Sequence, residues 1–265
     1  MSFRKISVWS IALVGVLLIS YFVARSDGFL FWTIRHDTTQ LARISLRVGA
    51  SPNARQGAHT ALMESAARGE TSIVSALLDR GATINAADED QRQALHYAAR
   101  NGQSDGAVVE LLLERGADPV AASKDGVTPL MEAVSGLDGG TVMNGIAIVA
   151  YAKEVNQQDR TGNTALLTAT TETSIVVVRA LLRAGANPNI ANGRGALPIT
   201  DAARNGFSDR VQLLLAFGAD PSLRQSNMPS ATELVKQGAP NPELEAKFKE
   251  IAHIIESSAA KSRRE

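Results

Sequence analysis

Five stretches of this chain align with one another, and a chain that repeats itself every few dozen residues has few folds open to it. HTALMESAARG (59–69), RQALHYAARNG (92–102), VTPLMEAVSG (127–136), NTALLTAT (163–170) and ALPITDAARNG (196–206) superpose on one apolar position. Leu62, Leu95, Leu130, Leu166 and Ile199 hold that position, at spacings of 33, 35, 36 and 33 residues. A second phrase follows four of the five: SALLDRGATINAAD (75–88), ELLLERGADPVAA (110–122), RALLRAGANPNIAN (179–192) and LLLAFGADPSL (213–223). In SIVSALLDRG the apolar Ile73, Val74, Leu77 and Leu78 fall at helical spacing, and Gly81 supplies the left-handed residue that stops a helix. Small alanines at 66 and 67 let the first helix lie close to its neighbours. Each unit therefore reads as two short helices and a turn, too small to bury its apolar face alone, so the stack itself is the fold.

These phrases resemble the ankyrin repeat, with its T-P-L-H-x-A-A-x-x-G first helix, apolar second helix and G-A-D-x-N ending. Thr128, Pro129 and Leu130 stand as T-P-L, Leu95 and His96 as L-H, and Gly81, Gly116, Gly185 and Gly218 open the G-A phrase. The resemblance covers about residues 40–235 and implies an all-α solenoid of about five repeats with partial caps. The N-terminal cap is expected to be half a unit, from Leu41, Ile44, Leu46 and Gly49 to Asn53. At the other end Ser230–Val235 stands where a sixth first helix belongs, 242–255 reads as an amphipathic second helix, and 257–265 as a charged tail.

Ahead of the repeats, Ile6–Ala24 carries no charge, and 19 helical residues at about 1.5 Å each span roughly 28 Å, close to a bilayer core of about 30 Å. Arg4 and Lys5 precede the run, Arg25 follows it, and Trp9 and Tyr21 stand near its ends, where aromatic rings prefer the interface. The alternative, a cleaved signal peptide, would place the bulky Phe22 where a small residue is needed. An uncleaved anchor at 6–24 is expected, with 1–5 as a short tail, 25–36 as a linker and 37–256 as the repeat domain. Arg4 and Lys5 favour an N-inside orientation, which puts the repeats on the periplasmic side of an inner (cytoplasmic) membrane.

Composition removes several function classes. The 27 basic residues balance 27 acidic ones, so the electrostatic footprint of a nucleic-acid binder is missing. There is no cysteine, and the four histidines at 36, 59, 96 and 253 are too scattered to pair as metal ligands, so neither a metal site nor a cofactor is expected. His59 and His36 fall in turns, and His96 takes the place where the resemblance implies hydrogen bonds within the repeat. No nucleophile, base and acid stand at recognisable spacing, and no small-molecule substrate is evident. Asp88-Glu89-Asp90 reads as a solvated hairpin tip and Gly193-Arg194-Gly195 as a repeat turn rather than a dinucleotide loop.

What remains is a recognition surface. The resemblance implies a concave groove lined by the fifth, eighth and ninth residues counted from the threonine of each first helix. Carried over, these give Glu64 and Arg68, with Ala67 between them; Tyr97, Arg100 and Asn101; Glu132; Thr168, Thr171 and Glu172; and Asp201, Arg204 and Asn205. The expected role is a non-catalytic module tethered to the membrane and binding a partner protein, as in membrane-anchored bacterial ankyrin proteins. Sharper versions are an immunity protein against an envelope toxin, or an accessory to an oxidative-stress enzyme; an enzyme with an unrecognised site is the remote alternative. The third repeat departs from the pattern. It carries three extra residues and four glycines around 135–145, which predicts a longer inter-helix loop there, either tolerated drift or a partner-specific protrusion.

Overall fold

The computed structural model describes residue 20 and residues 22–102, 106–135, 139–172, 174–226 and 228–262. Helices dominate, arranged as successive antiparallel pairs: α1 (Asp27–Arg35) with α2 (Thr39–Val48), α3 (Ala61–Ala67) with α4 (Thr71–Leu78), and α5 (Ala94–Arg100) with α6 (Ala107–Glu114). The series continues with α7 (Pro129–Val134) and α8 (Gly139–Tyr151), α9 (Ala165–Glu172) and α10 (Ile175–Arg183), and α11 (Pro198–Arg204) and α12 (Ser208–Ala216). It closes with α13 (Ala231–Gln237) and α14 (Glu245–Ser262). First helices pack on first helices and second on second along the stack. The aligned Leu62, Leu95, Leu130, Leu166 and Ile199 are all buried between neighbouring pairs.

Short local signals start and stop these helices. Thr60 and Thr128 accept hydrogen bonds from the backbone N–H groups of Met63 (3.1 Å) and Met131 (3.3 Å), each capping a first helix at its N-terminus. Second helices end on a glycine such as Gly81 at φ +85°, after which the Ala82 N–H reaches back to the Leu77 carbonyl at 3.0 Å. The same bond is made by Ala117, Ala186 and Ala219. Between pairs the chain turns through tight tips that touch backbone to backbone: Lys124 N–H to Asp90 O, Arg160 N–H to Asp125 O and Gly193 N–H to Thr161 O, each 2.8 Å. The approach is close enough that a Cβ at Gly162 would lie 2.6 Å from the Gly193 nitrogen.

An asparagine clamps most of the joints. The Asn85 side chain accepts from the Asp118 N–H (3.1 Å) and donates to the Gly116 carbonyl (3.5 Å) of the following repeat. Asn53 does the same to Thr83 and Gly81, Asn156 to Asn187 and Gly185, and Asn189 to Asp220 and Gly218. At the joint between the second and third repeats the corresponding residue is Val120, and only a Gln157 amide reaches its carbonyl, at 3.4 Å.

Four sequence expectations need correction. The segment 25–36, expected as a linker, is largely helix: Leu30, Phe31 and Ile34 of α1 are at most 2% exposed, and Ser26 caps the helix through the Phe29 N–H. The N-terminal cap is therefore a full helix pair and not a half unit. The loop expected over 135–145 is also shorter, because α8 begins at Gly139. Glycine's poor helix propensity loses here to tertiary anchoring. Asn144 is fully buried, and its side-chain amide donates to the carbonyls of Ala98 (3.1 Å), Ala99 (3.0 Å) and Asn101 (2.9 Å) at the end of α5. Residues 136–138 of that segment lie outside the described residues. Finally, the last helix runs to Ser262, so the charged tail from 257 continues it.

The anchor expected at 6–24 falls almost wholly outside the described residues, which begin at residue 20. Among the described residues no helix is long and apolar enough to cross a membrane.

Asn144→Ala strips three buried carbonyls of their shared donor and is expected to cost about 2–3 kcal/mol. Asn85→Ala, at an exposed joint where water can replace the amide, is expected to cost about 1 kcal/mol. Urea midpoints at unchanged slope measure both, and equal losses would contradict this account of the unclamped joint.

Candidate binding groove

The first helices present one position in common to the inner face of the stack, two residues beyond the buried aliphatic side chain of each. Trp32, Glu64, Tyr97, Glu132, Thr168 and Asp201 occupy it on α1, α3, α5, α7, α9 and α11 in turn. Trp32 belongs to this stripe because α1 repeats the hydrogen-bond register of α3. Thr38 N–H meets the Thr33 carbonyl just as Glu70 N–H meets that of Ser65, both at 3.0 Å. It is 47% exposed and stacks between Phe29 (centroids 5.9 Å, planes 13° apart) and His36 (4.4 Å, 22°).

Most charges along this face are already paired within the chain. Arg35 Nε lies 3.3 Å from Glu64 Oε1, Arg68 pairs with Asp37, and Arg204 lies 3.0 Å from Asp201. Burial pushes the Asp201 carboxyl above its ordinary value, against the opposing pull of Arg204. Asn205 turns back to donate to the Asp201 carbonyl at 2.8 Å. Glu132, only 8% exposed, has Arg92 as its cation, with Nε to Oε1 at 3.8 Å, beyond hydrogen-bond range. Arg100 is exposed, and no carboxylate among the described residues lies within ion-pair distance of it.

Tyr97 is fixed from two sides. Its hydroxyl donates to Asp88 Oδ2 at 2.5 Å, and its ring lies against His59, centroids 4.5 Å apart at 44°. Burial first, and then the Asp88 hydrogen bond, push the phenol up to about 12. Burial works to raise the Asp88 carboxyl, but the Tyr97 hydroxyl and the N–H groups of Arg92 and Asp90 outweigh it and hold it below its ordinary value. Asp88 Oδ1 takes both of those N–H groups at 2.8 Å, so the acidic tip closes its own turn. His96 is likewise structural: Nδ1 accepts from the Gln93 N–H (3.1 Å), which leaves Nε2 to donate to the Val127 carbonyl of the next repeat (3.2 Å).

Ala67, Arg92, His96, Tyr97, Arg100, Asn101 and Glu132 surround a cavity of about 150 Å³. Of the residues expected from sequence, Tyr97, Arg100, Asn101 and Glu132 meet here. Glu64 and Arg68 lie one repeat before Tyr97, and Asp201, Arg204 and Asn205 lie on α11, further along the stack. Sequence reasoning missed Arg92, which precedes its helix and falls outside the counted positions. It also missed Trp32, Arg35 and His36, because 25–36 was expected as a linker; the spacing of Leu30, Phe31 and Ile34 was the available signal. Among the described residues no group of three or more acidic or histidine side chains gathers to hold a metal ion.

Comparison with known proteins agrees with this geometry. The family model for ankyrin repeats (3 copies) matches residues 30–123 and 141–225, and the chain belongs to the ankyrin repeat family. Its repeats are accordingly a protein–protein interaction module. Human ankyrin repeat and SOCS box protein 16 is 31% identical over 220 residues, which cover 79% of this chain and 48% of that protein. The chain spans about half the length of the curated relatives it matches, or less. An ankyrin repeat domain from Acinetobacter baumannii AYE is 30% identical at a TM-score of 0.63, covering 72% of this chain and 98% of that one. The human ASB11 ankyrin repeat domain, at 24% identity and a TM-score of 0.70, shares the fold over 84% of this chain and 96% of its own.

Burial holds the His96 imidazole below its ordinary value of 6.5, with the Val127 carbonyl pulling the other way. The folded state thus keeps it neutral where the unfolded chain takes up a proton, so stability is present above pH 6.5 and drains as pH falls through the folded value. Urea midpoints are expected to fall between about pH 7 and 5, and His96→Asn should flatten that part of the profile. An unchanged slope in the variant would rule out His96 as the titrating group.

Proposed function

We propose that this protein is a non-catalytic interaction module, tethered to a bacterial inner membrane through residues 6–24, that binds a partner protein in its concave groove on the periplasmic side. The observation that carries the binding role is the cluster of Tyr97, Arg100, Asn101 and Glu132 around one cavity on the inner face. Tyrosine and arginine combine large contact area with a polar end and dominate interface energetics. Rigid helices hold these side chains, so little ordering entropy is lost when a partner docks.

The tether rests on the charge-free run Ile6–Ala24, separated from α1 by Arg25 and Ser26 alone, and on its match to bilayer thickness. The periplasmic side rests on Arg4 and Lys5 ahead of the run. The similarity to an Acinetobacter repeat domain supports the bacterial setting.

Two experiments test the two halves. Alkaline phosphatase and a cytoplasm-only reporter, fused in turn to the C-terminus, are expected to be active and silent respectively. The reverse pattern, or a soluble mature chain that starts after Ala24, overturns the tether. A photo-crosslinking residue at Ala67, beside the cavity, is expected to trap a partner in native membranes, whereas one at Arg179 on α10 is not. Trapping at Arg179 alone would move the binding surface off the groove.

A further inference from the structure

The groove's charges are settled except at one place. Arg35, Arg68 and Arg204 each meet a carboxylate of this chain. Around the cavity at Tyr97 the balance differs. Asp88 is fully engaged, with one oxygen on the tyrosine hydroxyl and the other on two backbone N–H groups. His96, with Nδ1 accepting, adds no charge. That leaves Arg92 with Glu132, which stands too far from its Nε to accept the proton, and Arg100 with no carboxylate among the described residues at ion-pair distance. Arg92 Nε is buried and meets no hydrogen-bond partner. A buried donor without an acceptor is costly, so an incoming acceptor is favoured. The cavity of about 150 Å³ is many times the ~10–15 Å³ that one water requires, room for a carboxylate on a short side chain.

A second recognition element lies two repeats away. Trp32, half exposed with its ring stacked between Phe29 and His36, offers an exposed apolar ring edge in the same stripe. Packed helices stand about 8–10 Å apart, so the two elements are separated by roughly 16–20 Å. An extended chain covers that distance in about five or six residues at ~3.3 Å each.

Building on the groove reading above, we infer that the partner enters as an extended segment whose aspartate or glutamate carboxylate fills the Arg92–Arg100 cavity. A large apolar side chain, five or six residues away in that segment, rests on Trp32. The incoming carboxylate supplies the acceptor that Arg92 Nε and Arg100 lack, and Tyr97 walls the cavity on one side. What selects an acid over a base is the hydrogen bonding: both oxygens of Asp88 are engaged elsewhere, Glu132 is beyond hydrogen-bond range of Arg92 Nε, and Arg100 has no carboxylate of the described residues beside it.

The test is selection of a display library of random peptides about twelve residues long, enough to span both elements at ~3.3 Å per residue. The target is the full chain held in detergent micelles. Enriched peptides are expected to share an acidic residue and, five or six positions away, an aromatic or large aliphatic one. Arg100→Ala is expected to weaken them about tenfold or more, as loss of an interface anchor does. Arg100→Glu should abolish binding, and a peptide with lysine in place of its acid should bind Arg100→Glu again. Trp32→Ala should weaken the same peptides while leaving their acid requirement intact. Arg100 and Trp32 are exposed, so thermal unfolding of all three variants should match the parent. Peptides lost on Tyr97→Ala but indifferent to Arg100→Glu, or basic peptides that depend on Glu132, overturn the acidic assignment and leave the groove standing. No enrichment, or peptides insensitive to every groove substitution, overturns the assignment and the groove reading together.

Discussion

The side-chain amide of asparagine sets the geometry of this stack. One face of the amide accepts an N–H from the next repeat and the other donates to the carbonyl of that repeat's terminal glycine, so a single residue fixes the distance between two units and their rotation together. Because the same bond pair recurs at four joints, small errors do not accumulate, and side chains at one helical position fall into a continuous line. The groove follows from that regularity: Trp32 and Asp201 stand 169 residues apart in the chain, yet belong to one stripe. Hydrophobic burial at the leucine seams holds the units together, while the amide determines how they face one another.

Where the regular clamp fails, the chain uses another. Val120 cannot bridge, and the following repeat lacks the glycine that would receive an amide. Asn144 instead reaches back from α8 to three carbonyls at the end of α5. The extra residues of the third repeat thus lengthen a helix that carries a strap, and the glycines at its start are tolerated because the helix is anchored further along. The strap ends on Asn101, next to Arg100, so the joint with the unusual connection is also the one that shapes the cavity.

Much of this was legible in the sequence and some was not, for physical reasons. The periodic leucines and the G-A phrases gave the helix pairs and their order, since both report interactions made inside every unit. The first helix of the N-terminal pair was hidden because it shares only the buried aliphatic spacing and not the T-P-L phrase, and an apolar run lies directly before it. The loop expected over 135–145 failed because local propensity carries no knowledge of a carbonyl cluster 43 to 46 residues earlier in the chain. Among the candidate site residues, counting positions named Tyr97, Arg100, Asn101 and Glu132, which the structure brings around one cavity. It could not show which arginines were already paired within the chain, because that depends on distances across joints, nor could it reach Arg92, which precedes α5 and falls outside the counted positions.

A rod with identical couplings bends evenly along its length, whereas one tighter coupling holds the units on either side of it at a fixed angle. In this stack the second and third repeats meet through a buried amide strap and not through the exposed clamp found elsewhere, and that junction divides the groove into an N-terminal portion with Trp32 and a C-terminal one with Asp201. Three hydrogen bonds thus set the width of the inner face between Tyr97 and Glu132, which stand on opposite sides of the junction. The spacing between an acid-binding cavity and its far wall is thereby governed by one buried side chain, Asn144, that no partner need touch.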